Sequence, residues 1–303
     1  MSTARAEPRL RRVETSPVGT TLHFQLAQAP FPAGDKPYRD ATVLVFVPTY
    51  FRLPKRRRVD VVVHFHGHNT TVGEALAAHQ LREQLFDSKQ NAILIAPQLA
   101  LRATDSHAGK LEREGGLARL LVEVLAELRR PAAEEALGKA SLAGVKDVEL
   151  VCLSAHSGGY RAAASCVARG GVDVGEVYLF DALYAQLGAF SRWAIERKDE
   201  SGRKRHKLVS FYAGGSVSKN NERLREALTT AGVKVLVETK PGTLTRAELA
   251  QGRAIFIQSP LQHTQVTFRN NGLRDCLFAS GLKRHLESDW FADKHEARRI
   301  DRR

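Results

Sequence analysis

Cysteine is scarce in this chain, three among 303 residues, too few for a disulfide framework. Cys152 and Cys166 lie in apolar segments and are read as small buried side chains. A reducing, cytoplasmic setting is therefore expected, with leaderless export left open. No apolar run reaches the roughly 18 residues that a membrane-spanning helix needs. The basic N-terminus, Met1 to Arg12, is not followed by the apolar stretch of a secretory signal. Internal repeats and low-complexity segments are absent from the sequence. Acidic residues are in deficit, 33 against 46 Lys and Arg, for a net charge of +13, which raises the question of an anionic partner. The basic runs are Pro54-Lys-Arg-Arg-Arg-Val59, Arg203-Lys-Arg-His-Lys207 and Ala297-Arg-Arg-Ile-Asp-Arg-Arg303. They carry no interleaved aromatics on which bases could stack. They are read as solvated surface charge, and binding to nucleic acid or acidic polymers is kept as a competing function.

What is present is an alternation of strand and helix patterns. Strands are expected at 19–26, 41–47, 59–65, 91–97, 148–153, 177–180, 208–212, 233–238 and 254–257. The valine-rich run Val59 to Phe65 has the near-continuous apolar character of a strand buried on both faces. Helical spacing occupies 117–129, 159–169 and 220–231. A further segment, Leu183 to Lys198 with Leu187, Phe190, Trp193 and Ile195, is expected to pack as a helix over the carboxyl edge of the sheet. The expected class is α/β, with a mostly parallel sheet of about eight strands and helices on both faces. The expected domain covers residues 19–282, with a basic N-terminal segment at 1–18 and a charged tail at 283–303.

The most specific signal is Ala155-His156-Ser157-Gly158-Gly159, placed between an apolar strand and an alanine-rich helix. This small-x-Ser-x-small frame is that of a nucleophile elbow. The serine at its apex takes a strained backbone conformation, and the residues two before and two after must be small because strand and helix nearly touch. Ser157 is therefore the candidate nucleophile of a hydrolase or acyl transferase. A serine alcohol needs a base, a group to orient that base, and donors for the oxyanion.

Upstream, Val61 to Asn69 is a strand ending in His66-Gly67. With the elbow, and with Val43 to Pro48 followed by an Arg-rich loop, this resembles the α/β-hydrolase superfamily, in its esterase and polyester-depolymerase branch, over residues 40–270. The resemblance implies an α/β-hydrolase fold, a serine esterase mechanism through an acyl-enzyme, and no cofactor or metal. It implies backbone N–H groups of His68 and Gly158 as the oxyanion hole, with Gly67 giving the substrate room. The acid of such enzymes usually follows the seventh strand, yet Tyr212 to Asn221 holds no carboxylate. Asp181, directly after the apolar strand 177–180, matches the variant that carries the acid after strand six. It also has the form of a helix N-cap. Glu222 and Asp173 are reserve acids.

The base is expected late, and His263, just beyond an apolar strand, completes the order nucleophile, acid, base. The rivals His206, His285 and His295 lie in charged segments. His64, His66 and His68 alternate as zinc ligands can, but no further ligand cluster completes a site. Gly67, Asn69, His156, Tyr160, Tyr184 and Trp193 are candidate pocket residues. A carboxylic ester, small or polymeric, is the expected substrate, with amides and thioesters open. A non-catalytic binding protein of the same fold competes with the enzyme reading.

Overall fold

A computed structural model describes residues 9–202 and 205–287. Its centre is one sheet of ten strands in the order β1-β2-β3-β5-β4-β6-β7-β8-β10-β9. These are β1 (Leu10–Ser16), β2 (Gly19–Gln25), β3 (Thr42–Pro48), β4 (Arg58–Phe65), β5 (Ala92–Pro97), β6 (Asp147–His156), β7 (Val174–Phe180), β8 (Lys207–Tyr212), β9 (Val235–Glu238) and β10 (Ala254–Gln258). The first pairings, β1 with β2, β2 with β3 and β3 with β5, are antiparallel. Every other pairing is parallel.

The strand missed in the sequence is β1. Its Leu-Arg-Arg-Val-Glu-Thr-Ser has no fully buried position, so neither face carries the apolar alternation that marks a strand. It lies within the segment expected outside the domain. Arg9, just before it, forms ion pairs with Glu123 and Glu127 on the helix Gly116–Leu128 (α3 below). At the other end, residues 283–285, expected in a free tail, are tied in. Lys283 N–H donates to Asp60 (2.8 Å), and Asn91 N–H donates to the Lys283 carbonyl (2.6 Å).

The helices are α1 (Val72–Ala78), α2 (Leu81–Asp87), α3 (Gly116–Leu128), α4 (Pro131–Leu137), α5 (Tyr160–Arg169), α6 (Leu187–Glu196), α7 (Gly215–Thr230), α8 (Arg246–Gln251) and α9 (Gly272–Phe278). Alternate residues of β4 feed two separate cores. Val61, Val63 and Phe65 pack with α3 to α7, while Val62 packs with α1, α2, α8 and α9. That period of two is why the strand reads as continuously apolar. No described helix is long and apolar enough to cross a membrane.

The amino end of the sheet is closed by buried charges. Lys207, read in the sequence as solvated, is fully buried at the start of β8. Its ammonium donates to the carbonyls of Leu249 (2.6 Å) and Ala279 (2.7 Å). The carboxyl ends of β4, β6, β7, β8 and β10 form the opposite edge, where ligand sites form in α/β sheets.

Candidate active site

β6 runs straight into a 3₁₀ turn, Ser157–Gly159, and then into α5. Ser157 has φ +52°, a left-handed conformation that costs a non-glycine residue of order 1–3 kcal/mol. The small flanking residues are required by contact. A Cβ on Gly159 would lie 2.3 Å from the Phe65 carbonyl oxygen, and one on Gly67 would lie 2.8 Å from Ser157 Cβ and 3.3 Å from its Oγ. Glycine at 67 therefore leaves the space that a reacting group must enter. α5 begins directly after the turn, and the start of a helix favours negative charge nearby.

Asp181 follows β7 directly and is buried, also with a left-handed backbone (φ +45°). Its Oδ2 accepts from His263 Nδ1 at 2.6 Å, and its Oδ1 accepts from Ala213 N–H at 3.0 Å. Ala213 follows β8, the place left without a carboxylate, and contributes an amide to the acid instead. His263 lies after β10. The extra segment before it is the crossover from β9, carrying α8, whose start is fixed by a capping box between Thr245 and Glu248. Ser157 and His263 both neighbour His156. Among the described residues no hydrogen bond joins the serine hydroxyl to His263 Nε2, a contact that often tightens only when substrate is bound.

On the far side of Ser157, His66 Nδ1–H donates to the Gly67 carbonyl (2.7 Å), and His66 Nε2 accepts from Leu99 N–H (2.9 Å) and the Gln98 amide (2.8 Å). The Gly67–His68 peptide is thereby held with its N–H turned away from His66. The His68 ring lies over Gly158, whose added Cβ would be 2.3 Å from it, and contacts Ser106 Oγ at 2.7 Å. His64 Nδ1 pairs with Ser154. The three alternating histidines do not converge, and no group among the described residues could hold a metal ion.

Tyr184 is half-exposed and edge-on to His263 (6.3 Å), and its ring lies 6.2 Å from that of Tyr160. Asn69 is exposed with a left-handed backbone, its N–H donating to the Ala103 carbonyl. Trp193 is not at the site. Its indole N–H donates to the Val174 carbonyl and its ring stacks on His206 at 4.4 Å, both at the amino end of the sheet. Helix α6 packs between α5 and α7 rather than over the carboxyl edge. Periodicity identified its buried stripe correctly but carries no information about which end of the sheet the stripe covers. The reserve acids and the described rival histidines, His206 and His285, are engaged elsewhere. Glu222 is exposed on α7, Asp173 is paired with Arg197, and His285 stacks on Tyr50. His295 falls outside the described residues.

Sequence inspection missed His79, at the end of α1, because no motif links it to the elbow. His64, His79, His156 and His263 form a file of rings, with neighbouring centroids 6.3, 4.4 and 4.7 Å apart. Burial pushes the first three below the ordinary histidine range, His79 to about 4, His156 to about 3 and His64 well below it. His66 is also lowered by burial to about 4. These groups are neutral when folded and titrate near 6.5 when unfolded, so the unfolded chain binds more protons below that pH. Stability is fully present above about pH 6.5 and lost as pH falls toward the folded values. With His66, His79 and His156 counted, the loss near pH 5 should approach about 4 kcal/mol per pH unit. Urea midpoints at pH 7.5, 6.5 and 5.5 check this, and midpoints that do not move would refute the buried neutral assignment.

No protein-family profile matches the sequence, and no curated protein matches it. Solved structures do. A serine-to-alanine variant of the feruloyl esterase module from Clostridium thermocellum, complexed with sinapinate, superimposes with a TM-score of 0.51 at 10% identity, covering 94% of this chain and 95% of that one. An S-formylglutathione hydrolase from Agrobacterium tumefaciens gives 0.48 at 12% identity, covering 88% and 96%. At such identities the similarity concerns the fold, and the fold is that of the α/β-hydrolases.

Proposed function

From the α/β-hydrolase fold as premise, we propose that this chain is a serine hydrolase of carboxylic esters acting through an acyl-enzyme on Ser157. Ser157 Oγ attacks the acyl carbon while His263 Nε2 takes its proton. Asp181 fixes the Nδ1–H tautomer of the imidazole and stabilises the imidazolium. The N–H groups of His68 and Gly158 hold the oxyanion. The imidazolium returns its proton to the leaving alkoxide, and water, deprotonated by the same base, releases the acid. In that release the imidazolium returns the proton to Ser157 Oγ, so that the free enzyme is restored.

The observation that carries this reading is the 2.6 Å contact between Asp181 and His263, beside a serine held in the left-handed conformation of an elbow. The ester preference is supported by the half-exposed Tyr184 against His263 and by its neighbour Tyr160. The test is covalent. A fluorophosphonate probe should label the folded protein once, on the peptide containing Ser157, and should not label Ser157→Ala. Folded protein that takes no label refutes the reading and favours a binding role for the fold.

A further inference from the structure

The proposed base has an insecure seat. His263 lies in residues 259–271, which form no helix or strand. The loop is anchored on either side of it, where Ser259 N–H donates to the Tyr212 carbonyl (2.8 Å) and the Gln84 amide donates to the Thr267 carbonyl (3.0 Å), but between these anchors the backbone bonds, other than that of the His263 carbonyl, are local. Leu261 N–H donates to Ser259 Oγ and Gln265 N–H to the Gln262 carbonyl. A base on such a loop must still be held to a fraction of an ångström, because a displacement of about 1 Å costs up to about 10²-fold in rate.

One group ties the backbone of His263 itself to the sheet. His156 is the last residue of β6 and is buried, in register with Phe180 of β7. Its Nε2–H donates to the His263 carbonyl at 3.0 Å. Because a carbonyl only accepts, this bond fixes the tautomer and leaves Nδ1 with its lone pair beside Gly67, 3.2 Å from where a Cβ would sit. The His156 ring also backs the His263 ring, centroids 4.7 Å apart and planes tilted by 36°. Behind it His79 closes the stack at 4.4 Å. His64 from β4, His66 directly after it, His79 from the end of α1, and Asp181, Tyr184 and His263 from the site loops are the titratable groups around it.

We propose that His156 is the positioning residue of the base: it couples the nucleophile's own strand to the His263 backbone and supports the imidazole face. The proposal rests on the serine-hydrolase reading above. It assigns different work to His263 and to His156, the residue that precedes Ser157. His263, partly exposed and paired with a carboxylate, exchanges the proton. His156, buried and kept neutral with a pKa near 3, holds its neighbour still. The covalent chain links the two tightly, since His156 and Ser157 are adjacent residues. Any shift of the elbow is thereby passed to the base loop, and the attacking oxygen and its base move together.

The experiment compares His156→Phe, which keeps a ring but loses the donor, with His156→Gln, whose amide N–H reaches to the same distance as Nε2, and His156→Asn, whose donor falls one bond short. kcat and KM are measured on short p-nitrophenyl esters, with the thermal midpoint as a folding check. His156→Phe and His156→Asn should lose about 10²-fold in kcat with KM within about twofold, while His156→Gln recovers most of the lost rate. A merely structural role would lower the midpoint without separating Gln from Asn. Should the Phe variant not fold, the Gln and Asn pair decides alone. Equal rates for Gln and Asn, or a fully active Phe variant, overturn the positioning role. Failure of the wild type to take the fluorophosphonate label instead removes the serine-hydrolase reading, and this proposal with it.

Discussion

Ser157→Ala is expected to lower kcat on a short p-nitrophenyl ester by about 10⁶-fold, with the fold intact. The residual rate is what binding and the oxyanion donors supply without a nucleophile. The variant is a clean test because the serine hydroxyl makes no hydrogen bond among the described residues. Removing it orphans no buried partner, and the left-handed backbone strain is shared by alanine and serine. Stability should stay within about 0.5 kcal/mol. Rates are compared at equal concentrations of active folded protein, with the midpoint read by circular dichroism. Ester turnover that survives the substitution would mean that hydrolysis does not run through this elbow.

Asp181→Asn is expected to lower kcat by about 10⁴-fold, the scale known for the equivalent change in a serine protease triad. The cause is a tautomer. An asparagine amide facing His263 Nδ1 can present its N–H₂ as donor, which forces Nδ1 to accept and moves the ring proton to Nε2. The nitrogen meant to take the serine proton is then already protonated. Side-chain volume hardly changes and the Ala213 amide keeps an oxygen to donate to, so KM and folding should move little. Glu222→Gln and Asp173→Asn serve as controls and should be near wild type, since one carboxylate is exposed on α7 and the other is paired with Arg197. A near-wild-type Asp181→Asn would require a different partner for the base.

The parts of the fold visible in the sequence were those governed by local rules. Strands buried on both faces read as near-continuous apolar runs, as β4 does with only Asp60 and His64 interrupting it and β5 does from Ala92 to Pro97. The Ala155, Ser157, Gly159 spacing is legible because close approach of α5 to β4 forbids anything larger at 159. Asp181 is legible because an acid ending a buried strand must lie at the sheet's edge. The rest depended on three-dimensional neighbours. β1 is stabilised by pairing with β2 and by Arg9 against α3, neither of which leaves an apolar pattern in its own residues. The amino-end position of Trp193 is fixed by His206 and the Val174 carbonyl. The histidine file joins positions 64, 79, 156 and 263, whose spacings follow no period of helix or strand. Burial of Lys207 could not be read from a basic run because its compensation comes from carbonyls at 249 and 279.

The amide of Ala213 ties Asp181 to a second strand. β7 and β8 are neighbours in the sheet, and a backbone group at the tip of β8 already lies within 3.0 Å of the carboxylate that serves His263. The imidazole thus stands at a junction reached from two adjacent strand tips.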